Sequence, residues 1–326
     1  LARKNINNII LEASSHGLDQ NRIDGLKIKT GIFTNLSHDH LDYHKNMKTY
    51  FFSKMKLFKN LMKEGSLVVT DENNKEFNTI KKILKKRKMK KLTIGKNSGN
   101  IKVLQIRYKG NKQIVKISHN SKTYSIKISL IGDFQIKNLL MAILAAMSFG
   151  LKINKILKQV NKIKSVPGRL ECVSNLKNKS HIIVDFAHTP DALNQSLIAL
   201  KNQYKKEILI VLGCGGERDK KKRIKMGRIA KKYCKKIFVT DDNPRYEDPK
   251  KIRKAIIKGC GKLAVNIGSR KKAIKIAINE LDSNEILLVT GKGHESTQDY
   301  GKKVFNFSDK KIINKLIKKE KFLLKK

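Results

Sequence analysis

The chain has 326 residues, with 73 Lys+Arg against 27 Asp+Glu and a formal charge of +46. A hydrophobic content of 40% excludes a globally disordered chain. The longest apolar stretch, Leu139 to Leu151, is broken by Ser148 and Gly150 and is shorter than the about 20 residues that span a bilayer.

The opening Asn8-Ile9-Ile10-Leu11 predicts a short buried strand. A strand so near the first residue presupposes missing neighbours, so the chain reads as truncated. It begins with Leu1, and no basic, apolar, small-residue leader follows. Three- and four-residue spacing of Met47, Tyr50, Phe51, Lys54, Leu57 and Phe58 predicts a helix over 45–62. Leu67 to Thr70 is a strand ending at Asp71, and a very basic helix follows over about 75–90. Three period-two runs, near 101–108, 113–118 and 123–130, are punctuated by Gly110-Asn111 and Asn120-Ser121 and predict an antiparallel patch. Gly132 leads into an apolar helix over 135–149, and Pro167-Gly168 marks a domain boundary, dividing residues 1–166 from 167–326. Beyond it strands at 181–185, 208–213, 236–240, 263–267 and 286–290 alternate with helices, and a Lys-rich amphipathic helix runs from Lys310 and frays at its end. That alternation predicts an α/β fold with a mostly parallel, doubly wound sheet.

Ligands of such sheets bind beyond the carboxyl ends of the strands. Four strand ends here are polar: Asp185-Phe186-Ala187-His188-Thr189-Pro190-Asp191, Gly213-Cys214-Gly215-Gly216-Glu217-Arg218-Asp219, Thr240-Asp241-Asp242-Asn243-Pro244-Arg245 and Thr290-Gly291-Lys292-Gly293-His294-Glu295. Glycines allow close backbone approach, and Arg and Lys supply anion contacts. Together these loops favour an anionic-ligand site over plain turns. In the N-terminal half, Thr34 to His44 holds three His and two Asp within seven residues, which suits a divalent cation or phosphate as well as it suits a polar, helix-capping loop. GxxxxGK[ST] occurs nowhere in the chain. Cys172, Cys214, Cys234 and Cys260 are widely spaced without a CxxC pair, and read as reduced thiols of a cytosolic protein.

The charge itself admits a nucleic-acid reading. Of the basic residues only 11 are Arg and 62 are Lys, whereas readers of nucleic acid use the planar Arg fork. No recognition-helix motif occurs, and the aromatics are not interleaved with cations. The excess is read as a solvated surface with a compositional bias.

Taken in order, Glu12-Ala-Ser-Ser-His-Gly-Leu-Asp-Gln20-Asn-Arg22, Thr34-Asn-Leu-Ser-His-Asp-His40-Leu-Asp-Tyr-His44 and the four strand-end loops resemble the Mur ligases of peptidoglycan synthesis, and among them those that add meso-diaminopimelate. The resemblance runs from Glu12 to about Asp309. It implies part of a central ATPase domain, without its P-loop, followed by a Rossmann-like C-terminal domain, with the first, UDP-binding domain of the family absent. It implies ATP and Mg²⁺ as cofactors and an acid–amino-acid ligase that joins meso-2,6-diaminopimelate to UDP-N-acetylmuramoyl-L-alanyl-D-glutamate through an acyl phosphate, as a cytoplasmic monomer without nucleic-acid or membrane partners. This chain alone is expected to be inactive in that reaction.

By the same resemblance, Glu12 and His40 are Mg²⁺ ligands, together with Lys54 as a carbamate; without the resemblance Lys54 reads as one more cation on a Lys-rich helix. Ser14, Gln20 and Arg22 hold the muramoyl peptide. Asn138, Arg169 and Asp185 lie near the adenine, phosphates and ribose of ATP. Arg218, Asp242, Asn243, Pro244, Arg245, Gly291 and Glu295 form the diaminopimelate pocket, and Lys292 faces anionic substrate. Arg245 is the discriminating residue, since a guanidinium grips the far carboxylate that L-lysine lacks. The sequence departs from the family at His38 (Arg is common), Glu217 (Asp), Phe186 (Tyr), Gln135 (Asn) and Thr297 (Tyr). A folylpolyglutamate synthetase, a catalytically dead relative and a basic nucleic-acid binder are the alternatives; the Asp-Asn-Pro-Arg loop argues against the first.

Overall fold

The computed structural model describes residues 6, 8–37 and 39–323, apart from the side chains of Asp42 and of 319–323. The elements in chain order are α1 (Ser15–Asp19), β1 (Thr30–Phe33), α2 (Leu41–His44), α3 (Met47–Lys56), β2 (Leu67–Asp71), α4 (Phe77–Lys86), β3 (Lys90–Gly95), β4 (Ile101–Lys109), β5 (Lys112–His119), β6 (Lys122–Ile128), α5 (Asp133–Met147) and α6 (Ile153–Val160). They continue as β7 (Glu171–Asn175), β8 (His181–Asp185), α7 (Pro190–Tyr204), β9 (Ile208–Leu212), α8 (Lys221–Tyr233), β10 (Lys236–Val239), α9 (Pro249–Cys260), β11 (Ala264–Asn266), α10 (Arg270–Asn279), β12 (Ile286–Thr290), β13 (Thr297–Asp299), β14 (Val304–Asn306) and α11 (Asp309–Leu323). They fall into two compact units. The first comprises 1–104, 118–123 and 137–156; the second comprises 105–117, 124–136 and 157–326.

In the first unit β1, β2 and β3 run parallel, with Thr30 opposite Leu67 and Leu67 opposite Lys90. β4 begins beside β3, with Ile94 opposite Ile101. Met55, Phe58, Met62, Val68, Ile80 and Leu84 pack into one core with Phe33 and Phe51. α3 forms because Asn46 caps it, its Oδ1 accepting from Thr49 N at 2.9 Å. It then widens into one π-helical turn over Leu57–Leu61, so Leu57 and Phe58 stay buried.

Residues 8–11 are not a strand. Ile9, Ile10 and Leu11 are exposed, Ile10 fully. A strand exists through its ladder, and among the described residues no strand pairs with this segment. The basic helix is shorter than expected, because Lys88 turns into the left-handed region and Lys90 opens β3. The spacing argument missed β1, β3, β7 and the β13–β14 hairpin, all short or lacking clean alternation. The fraying expected at the end of α11 involves residues outside the described side chains.

In the second unit the sheet order is β11-β10-β9-β12-β8-β7. Every pair is parallel except β7–β8, which is antiparallel with a bulge between Cys172 and Ser174. Alternation sorts the strand residues between two cores. Ile208, Ile210 and Leu212 join Leu193, Leu197, Met226 and Ile256 on one face. Leu209 and Val211 join Ile274, Ala277, Ile313 and Ile317 on the other. α7, α8 and α9 thus cover one face, and α10 and α11 the other. Thr189, Asp248 and Ser269 cap α7, α9 and α10, and Pro190 and Pro249 occupy the first turns of α7 and α9. β12 lies between β8 and β9, so the carboxyl ends of β8, β12, β9 and β10 are consecutive neighbours. The four polar loops read from the sequence therefore share one edge of the sheet.

Among the described residues no helix is long and apolar enough to cross a membrane. Cys214, Cys234 and Cys260 are buried and Cys172 is half-buried, with no cysteine in a disulfide. Burial pushes the Cys214 thiol up to about 12. Burial of this kind disfavours the reactive thiolate.

Candidate active site

The first cluster forms where α1 meets α2 and α3. Ser14 caps α1, its Oγ accepting from Gly17 N at 3.0 Å. Ser15 is buried and places its Oγ 2.9 Å from His44 Nε2, while His44 Nδ1 lies 3.4 Å from Ser53 Oγ. His44 stacks on Tyr50 at 5.1 Å. His16 packs against His40 at 4.8 Å and Tyr43 at 4.3 Å. Burial, with His16 nearby, pulls the His44 imidazole below its ordinary range. Most of the His-rich loop is thus an aromatic and hydroxyl-bonded packing unit; His38 and the Asp42 side chain lie outside the described residues.

Lys54 sits on the inner side of α3, its Nζ 5.1 Å from the Tyr50 ring centroid. Burial pulls its pKa down, and the Glu12 and Asp39 carboxylates partly restore it. Tyr50 is pushed up to about 12 by burial and by Asp39. His40 is held in the left-handed region at φ 55, its N–H donating to Asp39 Oδ1 at 2.8 Å. Glu12, Asp39, His40 and Lys54 therefore share one electrostatic neighbourhood. Among the described residues no three His, Cys, Asp or Glu side chains converge on a single metal position. Ser14, Gln20 and Arg22 are exposed along the same segment. Gln20 reaches Tyr43 Oη at 3.4 Å, and Tyr43 donates to Asp19 at 3.0 Å.

Of the residues expected around ATP, Asn138 is exposed on α5 in the first unit. Arg169 and Asp185 come together in the second. Asp185 accepts from Leu170 N at 3.1 Å and from Ser196 Oγ at 2.5 Å, which fixes the turn that carries Arg169. Burial raises the Asp185 carboxyl above its ordinary range against those hydrogen bonds. The Arg169 guanidinium lies over Phe186 at 4.6 Å, and Phe186 also packs against His188 and His294. Gln135 donates to Arg169 O at 3.3 Å.

At the ends of β10 and β12 the expected pocket residues converge. Arg245 takes φ 52, and its Nη1 donates to Gly216 O at 2.8 Å. Asn243 donates to Glu295 at 3.0 Å. Gly291 lies at φ 107, where a Cβ would fall 2.4 Å from Asp242 Oδ2. A Cβ on Gly216 would fall 1.9 Å from Pro244 O, so the two loops touch through backbone. Arg218 is exposed on the neighbouring turn. Lys292 corrects the expectation that it faces an anion: its side chain has 0% exposure and is paired inward with Asn243 and Glu295.

Sequence reasoning missed the buried pairs behind these loops. Arg270 forks onto Asp309 with two 2.8 Å bonds and donates to Thr290 O at 2.7 Å. Arg253 pairs with Asp241, which also accepts from Tyr300 at 3.0 Å. Arg223 forks onto Glu247 at 2.6 and 2.7 Å and holds that carboxyl down at about 2. The one available signal was Arg within otherwise Lys-only helices. With Arg218 and Arg245 beside Asp242 and Glu295, the edge offers both charge signs, which suits a zwitterion carrying amine and carboxylate.

Two family models match the chain: the Mur ligase middle domain over residues 1–146 and the Mur ligase, glutamate ligase domain over 168–293. The UDP-N-acetylmuramoyl-L-alanyl-D-glutamate–2,6-diaminopimelate ligase of Rickettsia rickettsii is 39% identical over 321 residues, 98% of this chain and 66% of that protein. The chain therefore spans just under two-thirds of that relative. A solved structure bearing the same ligase name superposes with a TM-score of 0.63 at 30% identity, over 94% of this chain and 64% of that one. The MurF ligase from Thermotoga maritima, solved with ADP, shares the fold with a TM-score of 0.70 at 16% identity, over 94% and 65%. Matched in both parts and in the same order, the chain belongs to the Mur ligase family.

Proposed function

We propose that this chain supplies the later central-domain part and the amino-acid-binding domain of an ATP-dependent ligase that joins meso-2,6-diaminopimelate to UDP-N-acetylmuramoyl-L-alanyl-D-glutamate. In family terms the boundary falls at Pro167-Gly168, and the enzyme works as a cytoplasmic monomer. The observation that carries the reading is the Asp242–Arg245 loop. Arg245 is held from behind by Gly216 O, its Nε lies 3.9 Å from Asp299 Oδ2, and its side chain is 27% exposed. A guanidinium so placed grips a carboxylate through two parallel bonds. Diaminopimelate has such a carboxylate at its far end and L-lysine does not. Asp242 and Glu295 complement ammonium groups, and Gly291 admits the ligand against backbone.

In the first unit, Glu12 and His40 would hold Mg²⁺ with Lys54 as its carbamate. The residues fit that role. An ammonium repels a cation, and burial shifts Lys54 toward the neutral amine. The amine nitrogen bonds to the carbon of CO₂ and loses a proton, leaving a carboxylate-like anion. When bound, the cation neutralises phosphate charge during acyl-phosphate formation. Ser14, Gln20 and Arg22 orient the muramoyl peptide, and Arg169 and Asp185, brought together in the second unit, position ATP. The chain's main contribution is positioning.

Calorimetric titration with meso-diaminopimelate and with L-lysine tests the reading. Diaminopimelate binds more tightly, and Arg245→Ala weakens it by roughly 2–5 kcal/mol. Equal binding of the two amino acids overturns the assignment.

A further inference from the structure

Lys292 lies between Gly291 and Gly293 at the end of β12, and it is fully buried. Its Nζ donates to Asn243 Oδ1 at 2.8 Å and to Glu295 Oε2 at 2.9 Å. Asn243 Nδ2 donates to the same Glu295 oxygen at 3.0 Å, which closes a ring of three bonds. The Asp299 N–H adds a second bond to Asn243 Oδ1 at 3.0 Å. Burying an ammonium is costly unless it is paired and hydrogen-bonded, and removing one partner strands the other.

We infer that Lys292 is a positioning residue of the amino-acid pocket: it fixes which atoms Asn243 and Glu295 present to the ligand without touching the ligand itself. This rests on the proposed reading of that pocket. Asn243 Oδ1 accepts from two donors, so flipping the amide would set its NH₂ against both. The NH₂ group therefore points toward Glu295 and keeps one further N–H to give. Glu295 Oε2 receives two bonds, and Oε1 receives none among the described residues. The pocket thus offers one amide donor, suited to a ligand carboxylate, and one carboxylate oxygen, suited to a ligand ammonium. The backbone on either side of Lys292 is closely packed. A Cβ on Gly291 would come within 2.4 Å of Asp242 Oδ2, and one on Gly293 within 2.7 Å of the Phe186 Cβ.

Lys292→Met tests this with two measurements on the 326-residue chain. The first is solvent exchange of the Asn243 side-chain amide by ¹⁵N NMR without ligand. The second is calorimetric titration with meso-diaminopimelate. The expected result is exchange accelerated about tenfold or more and a dissociation constant raised about tenfold or more, as for loss of a charge-assisted hydrogen bond. On top of Asn243→Ala with Glu295→Ala, Lys292→Met should add less than about twofold, because a positioning residue acts only through the groups it holds. Unchanged amide exchange, or effects that multiply in the triple variant, overturn the inference. If the wild type binds no diaminopimelate yet Lys292→Met frees the amide, the pocket reading fails and the positioning role stands. Should Lys292→Met not fold, Lys292→Gln is read by the same two measurements.

Discussion

The two candidate sites are built in opposite ways. In the second unit the site sits on the carboxyl ends of four adjacent parallel strands, and buried ion pairs anchor its loops from behind. Arg270 and Asp309 are both fully buried, and Arg223 is 3% exposed. In the first unit the expected ligand-facing residues ride on a segment before β1 and on short helices, with Glu12, Ser14, Gln20 and Arg22 exposed. The Lys56–Asp19 ion pair beside that segment is about one-third exposed at both ends. One edge is organised in advance by the fold. The other holds an aromatic and histidine scaffold beneath groups that a ligand has still to fix. Arrangement in advance of binding lowers the entropy cost of holding a small zwitterion.

The contrast is broken most directly at Arg270. Arg270→Met leaves Asp309 buried and unpaired and frees Thr290 O, and a loss of about 3–5 kcal/mol is expected. Peptide-resolved hydrogen exchange should show the loss in β12 and α11, with the first unit unaffected. A loss under about 1 kcal/mol would remove the idea that buried pairs anchor this edge. Gly291→Ala acts on the same edge through sterics. At φ 107, with a Cβ contact of 2.4 Å to Asp242 Oδ2, the expected cost is about 1–3 kcal/mol. Diaminopimelate affinity should fall with the melting temperature, and a variant that binds as tightly as wild type would show that Gly291 does not shape the pocket.

What could be read in advance follows the same division. The central strands of the second unit, β8, β9, β10 and β12, were legible because both faces are buried, so each shows as an apolar run such as Ile208-Leu209-Ile210-Val211-Leu212 ending in a polar loop. The shared edge followed from the parallel order. The pairs behind it were not legible, because Arg270 and Asp309 lie 39 positions apart and Arg270 heads a helix that otherwise reads as Lys-rich surface. The same surplus of Lys concealed Lys292, whose flanking glycines suggested a ligand-facing cation. In the first unit, Ile9 and Ile10 show that an apolar run does not define a strand without a partner. The His-rich loop shows that a metal-like composition also serves packing: His44 is engaged by Ser15, Ser53 and Tyr50.

That packing gives the weaker site its own tests. His44 is held below the usual 6.5 by burial and by His16, so the unfolded chain takes up a proton at a higher pH than the folded one. The unfolded state therefore binds more protons below about 6.5, and stability falls as pH drops through that point, with a slope of at most about 1.4 kcal/mol per pH unit for one proton. Exchange protection in α2 and α3 followed from pH 7.5 to 5.5 should show the decline, and His44→Gln should flatten it. A wild-type profile already flat would mean that the ring is not desolvated.

The smallest effect belongs to Lys56. Its bond to Asp19, with that of Tyr43, holds the Asp19 carboxyl below its ordinary range. Any stability so gained is present above the unfolded value of 3.8 and is lost as pH falls through the lower, folded one. Both partners meet solvent, so screening leaves little of it. Lys56→Ala should cost about 0.2–1 kcal/mol and less in high salt. A cost near that of Arg270→Met would erase the distinction between the two sites, because an exposed pair would then be anchoring the first unit as firmly as a buried one anchors the second.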